Sequence, residues 1–398
     1  LAPGVHGGRP GRLRMTGAGR DAEIVVIGAG VVGLAVAERL SRDRSVIVIE
    51  RHEGPARETS SHNSGVVHAS IYYPTGSLKH RLCLEGNAAV YEWCESHHVP
   101  VRRTGKLIAA FTEAERGGLD EVYRQAVQNG ARGIERIGRE RIVTLEPHLP
   151  ALEAVWSPST GVVDTFAFVR SLESAARDHG ALVVYQHEVT AIERTASDFR
   201  IDLRDADGTA STLTCEVVVN AAGLHAHEVA ALAGYPLDGG VRDGVIVPVL
   251  RQGVNVGRYY DVIDPEAART VSRPIYPLPE HAAGGLGLHL TVDLDGGVHL
   301  GPSTEWHEEG ATLDYRHEAD EAWAARFLDA GRRFIPGLGA DQIAPGQVGY
   351  RPKLQQPGQG QVDFLLWHDR GYVHLGGIES PGFTSALPLA REVAEAVG

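Results

Sequence analysis

The first apolar run of the chain predicts a strand, a turn, a helix and a second strand in succession. Glu23 to Ile27 is a short, mainly β-branched segment of the kind that lies buried in a parallel sheet. The glycine-rich turn Gly28 to Gly33 follows, and apolar residues then recur at helical spacing from Leu34 to Leu40. A second apolar strand is expected from Ser45 to Ile49, and Glu50 ends the unit.

The turn has the spacing Gly-Ala-Gly-Val-Val-Gly, which is typical of dinucleotide-binding units. Gly28 permits the tight turn, Gly30 lets the backbone approach a pyrophosphate, and Gly33 allows the helix to pack closely on the strand. The amino terminus of the helix then faces the phosphates. The carboxylate of Glu50 can accept hydrogen bonds from both hydroxyls of an adenosine ribose, and its charge disfavours the extra phosphate of NADP. This unit alone does not separate NAD from FAD.

Later apolar segments return the chain to the same sheet. The patterns predict one helix and three strands, at Phe166 to His179, Ala181 to Tyr185, Val189 to Arg194 and Val217 to Asn220 respectively. The small residues Ala221, Ala222 and Gly223 follow the last strand and let the loop pass close to a bulky group. A terminal helix from about Phe383 to Ala396 is expected to direct its free backbone N-H groups into the loop before it.

Two segments between these elements are rich in turns and alternating strands, which is typical of a mainly antiparallel domain. We therefore predict an α/β fold, α+β overall, with a Rossmann-like nucleotide-binding domain and a discontinuous, mainly antiparallel β substrate domain. The nucleotide-binding domain is assigned to residues 22–103, 158–241 and 341–398. The substrate domain is assigned to residues 104–157 and 242–340, and residues 1–21 to a disordered tail.

Composition supports two domains and excludes several functions. Of the 398 residues, 43% are hydrophobic, which is enough for two linked cores. The 51 acidic and 38 basic residues give a net charge of -13, so we expect a small polar substrate and not nucleic acid or anionic lipid. Three widely spaced cysteines indicate neither a disulfide framework nor a zinc site and fit a reducing compartment. They are Cys83, Cys94 and Cys215.

No apolar run approaches the roughly 20 residues that a membrane-spanning helix needs. The arginine-rich first twenty residues lack the apolar centre of a secretory signal, and Met15 within them is a candidate for the true start. We expect a cytoplasmic protein and leave peripheral contact with a membrane open.

The basic residues of the chain are almost all arginine. Lysine occurs only at Lys79, Lys106 and Lys353. Ammonium and guanidinium groups differ in size, donor geometry and ease of pKa adjustment, so this bias favours a specific task for the lysines that remain.

The longest motif lies after the second strand. It reads His62-Asn63-Ser64-Gly65-Val66-Val67-His68-Ala69-Ser70-Ile71-Tyr72-Tyr73 and continues as Gly76-Ser77-Leu78-Lys79. Shorter motifs stand at Asn220 to Gly223, Gly287 to Thr291 and Gly349 to Lys353. From about Glu23 to its end, the chain resembles the FAD-dependent oxidoreductases of the D-amino-acid oxidase type, and among them the L-2-hydroxyglutarate dehydrogenase or oxidase family. The resemblance implies FAD, not NAD, as the cofactor.

The resemblance also implies where FAD lies. Its adenosine is expected on Glu50, its pyrophosphate on the glycine turn and its isoalloxazine ring between the domains. The expected contacts are Gly28, Gly30, Val31, Val32, Gly33, Glu50, Arg51, Thr59, Ser60, Ser61, Asn63, Ser64, Gly65, Val66, Val189, Ala221, Ala222, Gly223, Gly377, Ser380, Pro381, Gly382, Phe383 and Thr384. Hydroxyls and loop N-H groups in this set can satisfy phosphate and ribityl oxygens.

Oxidation of a 2-hydroxy acid sends a hydride to flavin N5 and a proton to a base, a task that suits histidine. His68 and His289 both lie in the matching motifs and are the candidates, and the sequence does not rank them. Covalent attachment to the flavin is a competing role for His68. Arg351 is expected to hold the carboxylate of a small anionic substrate. The remaining contacts are assigned to Lys353, Lys79, Tyr72, Tyr73 and Tyr259.

Two departures from the family keep the substrate open. Members commonly have glycine where Ser70 stands, and the hydroxyglutarate enzymes have a different loop where Ile378 and Glu379 stand. The leading hypothesis is oxidation of L-2-hydroxyglutarate, or a close 2-hydroxy acid, to the 2-oxo acid. The alternatives are oxidation of an amino acid or secondary amine and, in another class, a flavin-binding electron-transfer partner without turnover. No sequence feature identifies the electron acceptor, oxygen or a quinone, or the oligomeric state.

Overall fold

A computed structural model describes residues 19–279, 287–308 and 310–398. The predicted disordered tail lies outside these ranges up to residue 18. The helices of the described ranges are α1 Val31–Leu40, α2 Leu78–Ser96, α3 Arg116–Gln128, α4 Arg139–Leu145, α5 Thr165–Asp178, α6 Ala226–Leu232, α7 Pro265–Ala268, α8 Glu321–Arg332 and α9 Gly382–Val397. The strands are β1 Ala22–Ile27, β2 Val46–Ile49, β3 Val66–Val67, β4 Val101–Arg102, β5 Lys106–Ala110, β6 Glu135–Gly138, β7 Glu153–Ser157, β8 Gly161–Val163, β9 Leu182–Val184, β10 His187–Arg194, β11 Phe199–Asp205, β12 Ala210–Asn220, β13 Asp238–Arg242, β14 Val245–Val249, β15 Gly253–Val262, β16 Ile275–Tyr276, β17 Leu290–Val292, β18 Val298–Leu300, β19 Glu305–Trp306, β20 Ile343–Lys353, β21 Leu365–Asp369 and β22 Tyr372–Gly376.

The first sheet is built around β1, which is almost entirely buried. β1 pairs in parallel with β2 on one side and with β12 on the other, and β9 and β22 extend the parallel part. This confirms the predicted strand, helix and strand at the start of the chain. β12 begins at Ala210, before the predicted Val217, because its earlier residues pair with β11 and its later ones lie beside β1.

The second sheet contains β5 to β7 and β15 to β20, and among the described strands only β5 and β16 pair in parallel within it. The predicted boundaries assign residues 341–398 to the nucleotide-binding domain. β20 nevertheless pairs with β15, from Gly253 opposite Lys353 to Val262 opposite Ile343. No strand was predicted at β20, and its hydrogen bonds place it in the second sheet although its residues fall within the range assigned to the nucleotide-binding domain.

Alternate residues of β1 face two different cores, as the period of a strand requires. Ile24 and Val26 pack with α1, α5 and α9, whereas Val25 and Ile27 pack with α6 and the β10 to β12 strands. α2 crosses α9 at Gly86, where an added Cβ would overlap the carbonyl of Thr384. None of the helices in the described ranges combines the length and apolar character that a bilayer crossing requires.

His299 on β18 joins two carboxylates at the side of the second sheet. Its Nδ1 lies 2.7 Å from Asp261 Oδ1 and its Nε2 lies 3.1 Å from Asp293 Oδ2. Both ring nitrogens can donate only in the protonated imidazolium. Burial opposes this charge, but the hydrogen bonds and charges of the two aspartates outweigh it, and the pKa of His299 is raised.

We predict that His299→Gln destabilises the protein mainly at low pH. Because the folded pKa exceeds the unfolded value of about 6.5, the stabilisation is complete below that value and is lost as pH rises through the folded pKa. A loss of roughly 1 kcal/mol is expected at pH ~5.5, since both aspartates are partly exposed and screened. Thermal unfolding midpoints between pH ~5 and ~9 measure it, with the exposed His148→Gln as the control. A difference of the same size at every pH would contradict the charged clamp.

Candidate active site

A cavity of 980 Å³ runs between the two sheets. The glycine turn and Glu50 line one end of it. His68, His289 and Arg351 line the other end. The dimensions and the mixture of apolar walls with a few polar groups are those of a small-molecule or cofactor site.

The glycine turn is shaped by close backbone approaches. Gly28 has φ of +105°, and a Cβ on it would lie 2.6 Å from the carbonyl oxygen of Ala221. A Cβ on Gly33 would overlap the carbonyl of Gly28. A Cβ on Gly30 would meet only the Oγ of Ser60, at 3.0 Å, and would otherwise project into the cavity. Gly30 has no side chain to cap α1, and Ser60 takes only the N-H of Val31. In the described chain the next N-H groups of the first turn therefore remain available to a phosphate.

Glu50 is held in position by backbone donors. Its Oε2 accepts from the N-H of Ala29 at 2.8 Å, and its Oε1 accepts from the N-H of His52 at 2.9 Å. Each oxygen keeps a second lone pair, so the carboxylate can still accept hydrogen bonds from a ribose.

The loop after β2 is folded by its own amide side chain. Asn63 Nδ2 donates to the carbonyls of Thr59 at 3.2 Å and Ser60 at 2.9 Å, and its Oδ1 accepts from the N-H of Gly65 at 2.9 Å. The Thr59 hydroxyl donates to the carbonyl of Tyr350 at 2.9 Å, which ties the loop to β20. The Oγ of Ser60 accepts from the N-H of Val31 at 3.0 Å, at the first residue of α1.

A charged cluster near the adenine end was not predicted from the sequence. Arg51 forms an ion pair with Glu58, and its guanidinium lies 2.6 Å from the Nε2 of His225. Burial alone would raise the pKa of Glu58, but hydrogen bonds from His225 and His52 lower it well below its usual value. Arg51 therefore has its orientation set by Glu58 and His225 at the cavity wall.

His289 is a neutral imidazole with a defined tautomer. Its Nδ1 lies 3.0 Å from the carbonyl oxygen of Gly287, which can only accept, so Nδ1 carries the proton and Nε2 keeps its lone pair. The ring stacks on Tyr276 with centroids 3.8 Å apart. Burial, with the nearby charges of Lys106 and Arg351, lowers the pKa of His289 to about 3.

His68 follows β3 and packs against the first residues of α9. Its backbone N-H donates to the Thr384 hydroxyl at 3.0 Å, and its Nε2 lies 3.2 Å from the Ser380 hydroxyl. Burial and the charges of Lys106 and His289 lower the pKa of His68 to about 3. Both cavity histidines are therefore unprotonated at neutral pH.

Arg351 is a buried guanidinium with unused donors. Its Nη2 donates to the carbonyls of Ser303 at 2.6 Å and Val256 at 3.2 Å, and its buried Nε has no hydrogen-bond partner among the described residues. Burial lowers its pKa from the ordinary value. No carboxylate in the described part of the chain forms an ion pair with Arg351. A carboxylate that enters the cavity can therefore take the free donors.

Two of the predicted substrate lysines share one carboxylate. The Nζ of Lys79 lies 2.9 Å from Glu379 Oε1, and the Nζ of Lys353 lies 2.7 Å from Glu379 Oε2. Burial raises the pKa of Glu379, but the two ammonium groups lower it further than that. Lys353 lines the cavity, whereas Lys79 lies behind Glu379 and off the cavity wall.

Most of the predicted site residues meet in the one cavity. Those on its wall are Gly28, Gly30, Val31, Val32, Glu50, Arg51, Thr59, Ser60, Asn63, Ser64, Val66, His68, Tyr72, Tyr73, Val189, Ala221, Ala222, Gly223, Tyr259, His289, Arg351, Lys353, Ser380, Pro381, Gly382 and Phe383. The predicted residues that lie off the wall are Gly33, Ser61, Gly65, Lys79, Gly377 and Thr384. Gly33 packs closely on the backbone of Gly28, and the hydroxyl of Thr384 accepts from the backbone N-H of His68.

Three residues at the substrate end were missed. Tyr276 and Glu379 line the cavity, and Lys106 is buried directly behind Tyr276. The scarcity of lysine pointed to Lys106 as much as to Lys79 and Lys353. Only the fold shows where each ammonium lies.

Comparison with known proteins identifies the family. The model of the DAO family, FAD dependent oxidoreductase, matches residues 23–396. The chain belongs to this family. It is therefore an FAD-dependent oxidoreductase, and FAD is its cofactor.

The similar curated proteins include mitochondrial L-2-hydroxyglutarate dehydrogenases. The Arabidopsis thaliana protein is 33% identical over 94% of this chain and 82% of its own length. The Caenorhabditis elegans protein is 30% identical over 93% of this chain and 92% of its own length. The Homo sapiens protein is 29% identical over 100% of this chain and 94% of its own length. Because all three are named as mitochondrial, they give no support to the expected cytoplasmic location.

Solved structures share the fold. L-α-glycerophosphate oxidase from Mycoplasma pneumoniae, determined with FAD bound, superimposes with a TM-score of 0.79 at 23% identity, over 94% of each chain. Glycine oxidase from Geobacillus kaustophilus superimposes with a TM-score of 0.74 at 19% identity, also over 94% of each chain. These likenesses confirm the α/β fold with a parallel-rich sheet and a mainly antiparallel second sheet.

FAD fits the residues at the nucleotide end. The open first turn of α1 suits a pyrophosphate, Glu50 suits a ribose, and the small residues after β12 leave room beside the turn. A Cβ at Gly30 would occupy that room, whereas one at Gly33 would collide with the protein itself.

We predict that Gly30→Ala weakens FAD binding by about tenfold or more and leaves the apoprotein fold intact, because only the Ser60 side chain has to move. Gly33→Ala is expected to lower the stability of the apoprotein as well, since backbone must shift. Quenching of FAD fluorescence and apoprotein unfolding midpoints separate the two effects. Gly138→Ala, which has open space around it, is the matched control. Equal FAD affinity in Gly30→Ala and the control would refute the close approach.

Proposed function

We propose that this enzyme oxidises L-2-hydroxyglutarate, or a close 2-hydroxy acid, to the 2-oxo acid. The observation that carries the proposal is the pairing of an anion anchor with a neutral base. Arg351 has unused donors in a buried position, and His289 beside it keeps a free lone pair on Nε2. A 2-hydroxy acid offers a carboxylate to the first group and a hydroxyl proton to the second.

In this proposal the reaction divides between cofactor and protein. Bound FAD supplies a hydride acceptor for the hydrogen on the α-carbon. Arg351 orients the carboxylate next to that carbon, and Nε2 of His289 accepts the hydroxyl proton as the C=O bond forms. The hydrogen bond from Nδ1 to Gly287 fixes the tautomer that leaves Nε2 unprotonated. His68 faces the same space and is held by Ser380.

The second carboxylate of a dicarboxylic acid has its own anchor. Lys79, Lys353 and Glu379 together carry one excess positive charge, and Lys353 faces the cavity. The buried hydroxyl of Tyr72 has no hydrogen-bond partner within the described ranges and is a further donor at this end. Tyr73 and Tyr259 also line the wall. This distribution favours a dianion over a neutral substrate.

An amino acid or secondary amine is the second candidate, favoured by Arg351, which can hold an amino acid carboxylate, and by the loop at Ile378 and Glu379, which departs from the hydroxyglutarate enzymes. At neutral pH such a substrate carries an ammonium group, and an amino acid carries a carboxylate as well. Arg351 suits that carboxylate, but the ammonium group would lie near a lysine cluster with excess positive charge, which repels it. The charge at this end therefore ranks the hydroxy acid first.

We predict that anaerobic addition of L-2-hydroxyglutarate to the FAD-loaded protein bleaches the oxidised flavin absorbance. The reason is that the hydride of the substrate reduces the flavin, and no acceptor is present to reoxidise it. A stopped-flow or steady spectrum measures the change. D-2-hydroxyglutarate and L-glutamate are the controls for handedness and for the amine alternative. An unchanged spectrum with FAD still bound would reject this substrate, and bleaching by L-glutamate alone would select the amine.

We predict that Arg351→Ala lowers kcat/KM for the substrate by a factor that corresponds to about 2 to 5 kcal/mol, because a desolvated carboxylate loses its partner. Steady-state kinetics measure the effect. Arg258→Ala is the matched control, since Arg258 lies on the paired strand β15 and does not line the cavity. A loss of less than about fivefold for Arg351→Ala would count against the anchor, provided that the control keeps full activity.

A further inference from the structure

Lys106 is a buried ammonium without a counter-ion. It starts β5, is 1% exposed, and holds its Nζ 4.2 Å from the ring centroid of Tyr276 and 5.1 Å from that of Tyr72. Both tyrosines line the substrate end of the cavity. In the part of the chain that the structure describes, Nζ has no carboxylate and no hydrogen-bond acceptor paired with it.

Among the residues that the structure describes, the surroundings of Lys106 contain several titratable groups and no carboxylate paired with it. Cys83, His68 and His289 lie near enough to feel its field, in addition to the two tyrosines. Burial raises the pKa of the Cys83 thiol to about 12, so the thiol stays neutral and cannot serve as the partner. Ring faces stabilise an ammonium, but by far less than a carboxylate does in a dry site.

An unpaired charge in such a place is costly, and a ligand can relieve the cost. Burial lowers the pKa of Lys106 to about 7, so the group changes its charge near neutrality. The two cavity histidines are already neutral there. Of Lys106, His68 and His289, Lys106 is thus the group whose protonation near neutral pH can change when an anion binds.

We propose that Lys106 is a positioning residue that determines specificity for anionic substrates: a carboxylate in the cavity becomes its counter-charge across the wall formed by Tyr72 and Tyr276. The inference rests on the proposed function, since it takes an anion as the substrate. Lys106 does not line the cavity, so it acts through the field and through the placement of the two rings. Tyr276 also stacks on His289, so the same contact holds the proposed base.

The sign of the pH dependence follows from linkage. A bound anion favours protonated Lys106 and raises its pKa, so the anion binds most tightly below the free-protein value and more weakly as pH rises through it. Each unit by which binding raises this pKa corresponds to about a tenfold difference in affinity between the two protonation states.

Binding of glutarate, which lacks the reacting hydroxyl, tests the proposal without turnover. The FAD-loaded protein is titrated with glutarate between pH ~5.5 and ~9, and the flavin absorbance reports the Kd. We expect the wild-type Kd to rise by about tenfold or more as pH increases through ~7. Lys106→Met is expected to bind about tenfold more weakly at pH ~6 and to lose this dependence, whereas Lys106→Arg, where the charge persists, should keep tight binding to high pH.

The lysine scarcity provides a direct second readout in the unmutated chain. Protein labelled with carbon-13 and nitrogen-15 in lysine carries side-chain signals from only Lys79, Lys106 and Lys353. The signal that disappears in Lys106→Met is followed against pH, with and without saturating glutarate. A titration that moves upward by about one unit or more on binding supports the proposal.

The outcomes separate this inference from the proposed function. If wild-type protein with FAD bound does not bind glutarate or L-2-hydroxyglutarate, the substrate class is wrong and the inference falls with it. If it binds them, but the Lys106 titration does not move and Lys106→Met binds as tightly at every pH, only the role of Lys106 is overturned. A lower kcat in Lys106→Met with an unchanged Kd and pH profile would likewise mark a structural role and overturn the proposal.

Discussion

The position of β1 between β2 and β12 is the constraint on which the rest of the site depends. All three strands run parallel, so the turn after β1, the carboxylate after β2 and the small residues after β12 meet at one edge of the sheet. Backbone bonds hold this edge together, from the Gly28 N-H to Ile49 and from the Ala221 N-H to Ile27. The close approach leaves no room for a Cβ on Gly28. The cofactor groove thus follows from the order of the strands and from glycine at the positions where a side chain would not fit.

The substrate end depends on a contact between the two sheets. Lys353 comes from β20 of the second sheet, and Glu379 follows β22 of the first. Their ion pair, shared with Lys79 of α2, joins the two sheets at the cavity wall. One carboxylate cannot neutralise two lysines, so the same contact leaves an excess positive charge at the end of the cavity that is proposed to bind the substrate. Glu379 therefore both joins the two sheets and sets the net charge at this end of the cavity.

Local features were predictable from the sequence, and partners across the fold were not. The strand, turn and helix from Ala22 to Leu40 have patterns that depend on neighbours in the chain, and they were predicted closely. The strand β20 and its place beside β15 were not predicted, because the pairing joins Gly253 to Lys353 and Val262 to Ile343, residues that are far apart in the chain. The same limit applies to the lysines, whose rarity drew attention to three positions. In the fold, Lys79 and Lys353 both pair with Glu379, and Lys353 lines the cavity. Lys106 packs against the rings of Tyr72 and Tyr276. Composition reveals which residues are unusual, and only packing decides what each one meets.

Burial in and around one cavity separates these side chains by their intrinsic basicity. Desolvation penalises every cation, but a histidine starts near neutrality and loses its proton, as His68 and His289 do. A guanidinium starts so high that the same penalty leaves Arg351 charged. Lys106 lies between these limits. One physical effect therefore leaves two neutral histidines, a charged guanidinium and a lysine of intermediate basicity at or behind the wall of one cavity, and the proposed oxidation of an anionic 2-hydroxy acid uses this combination.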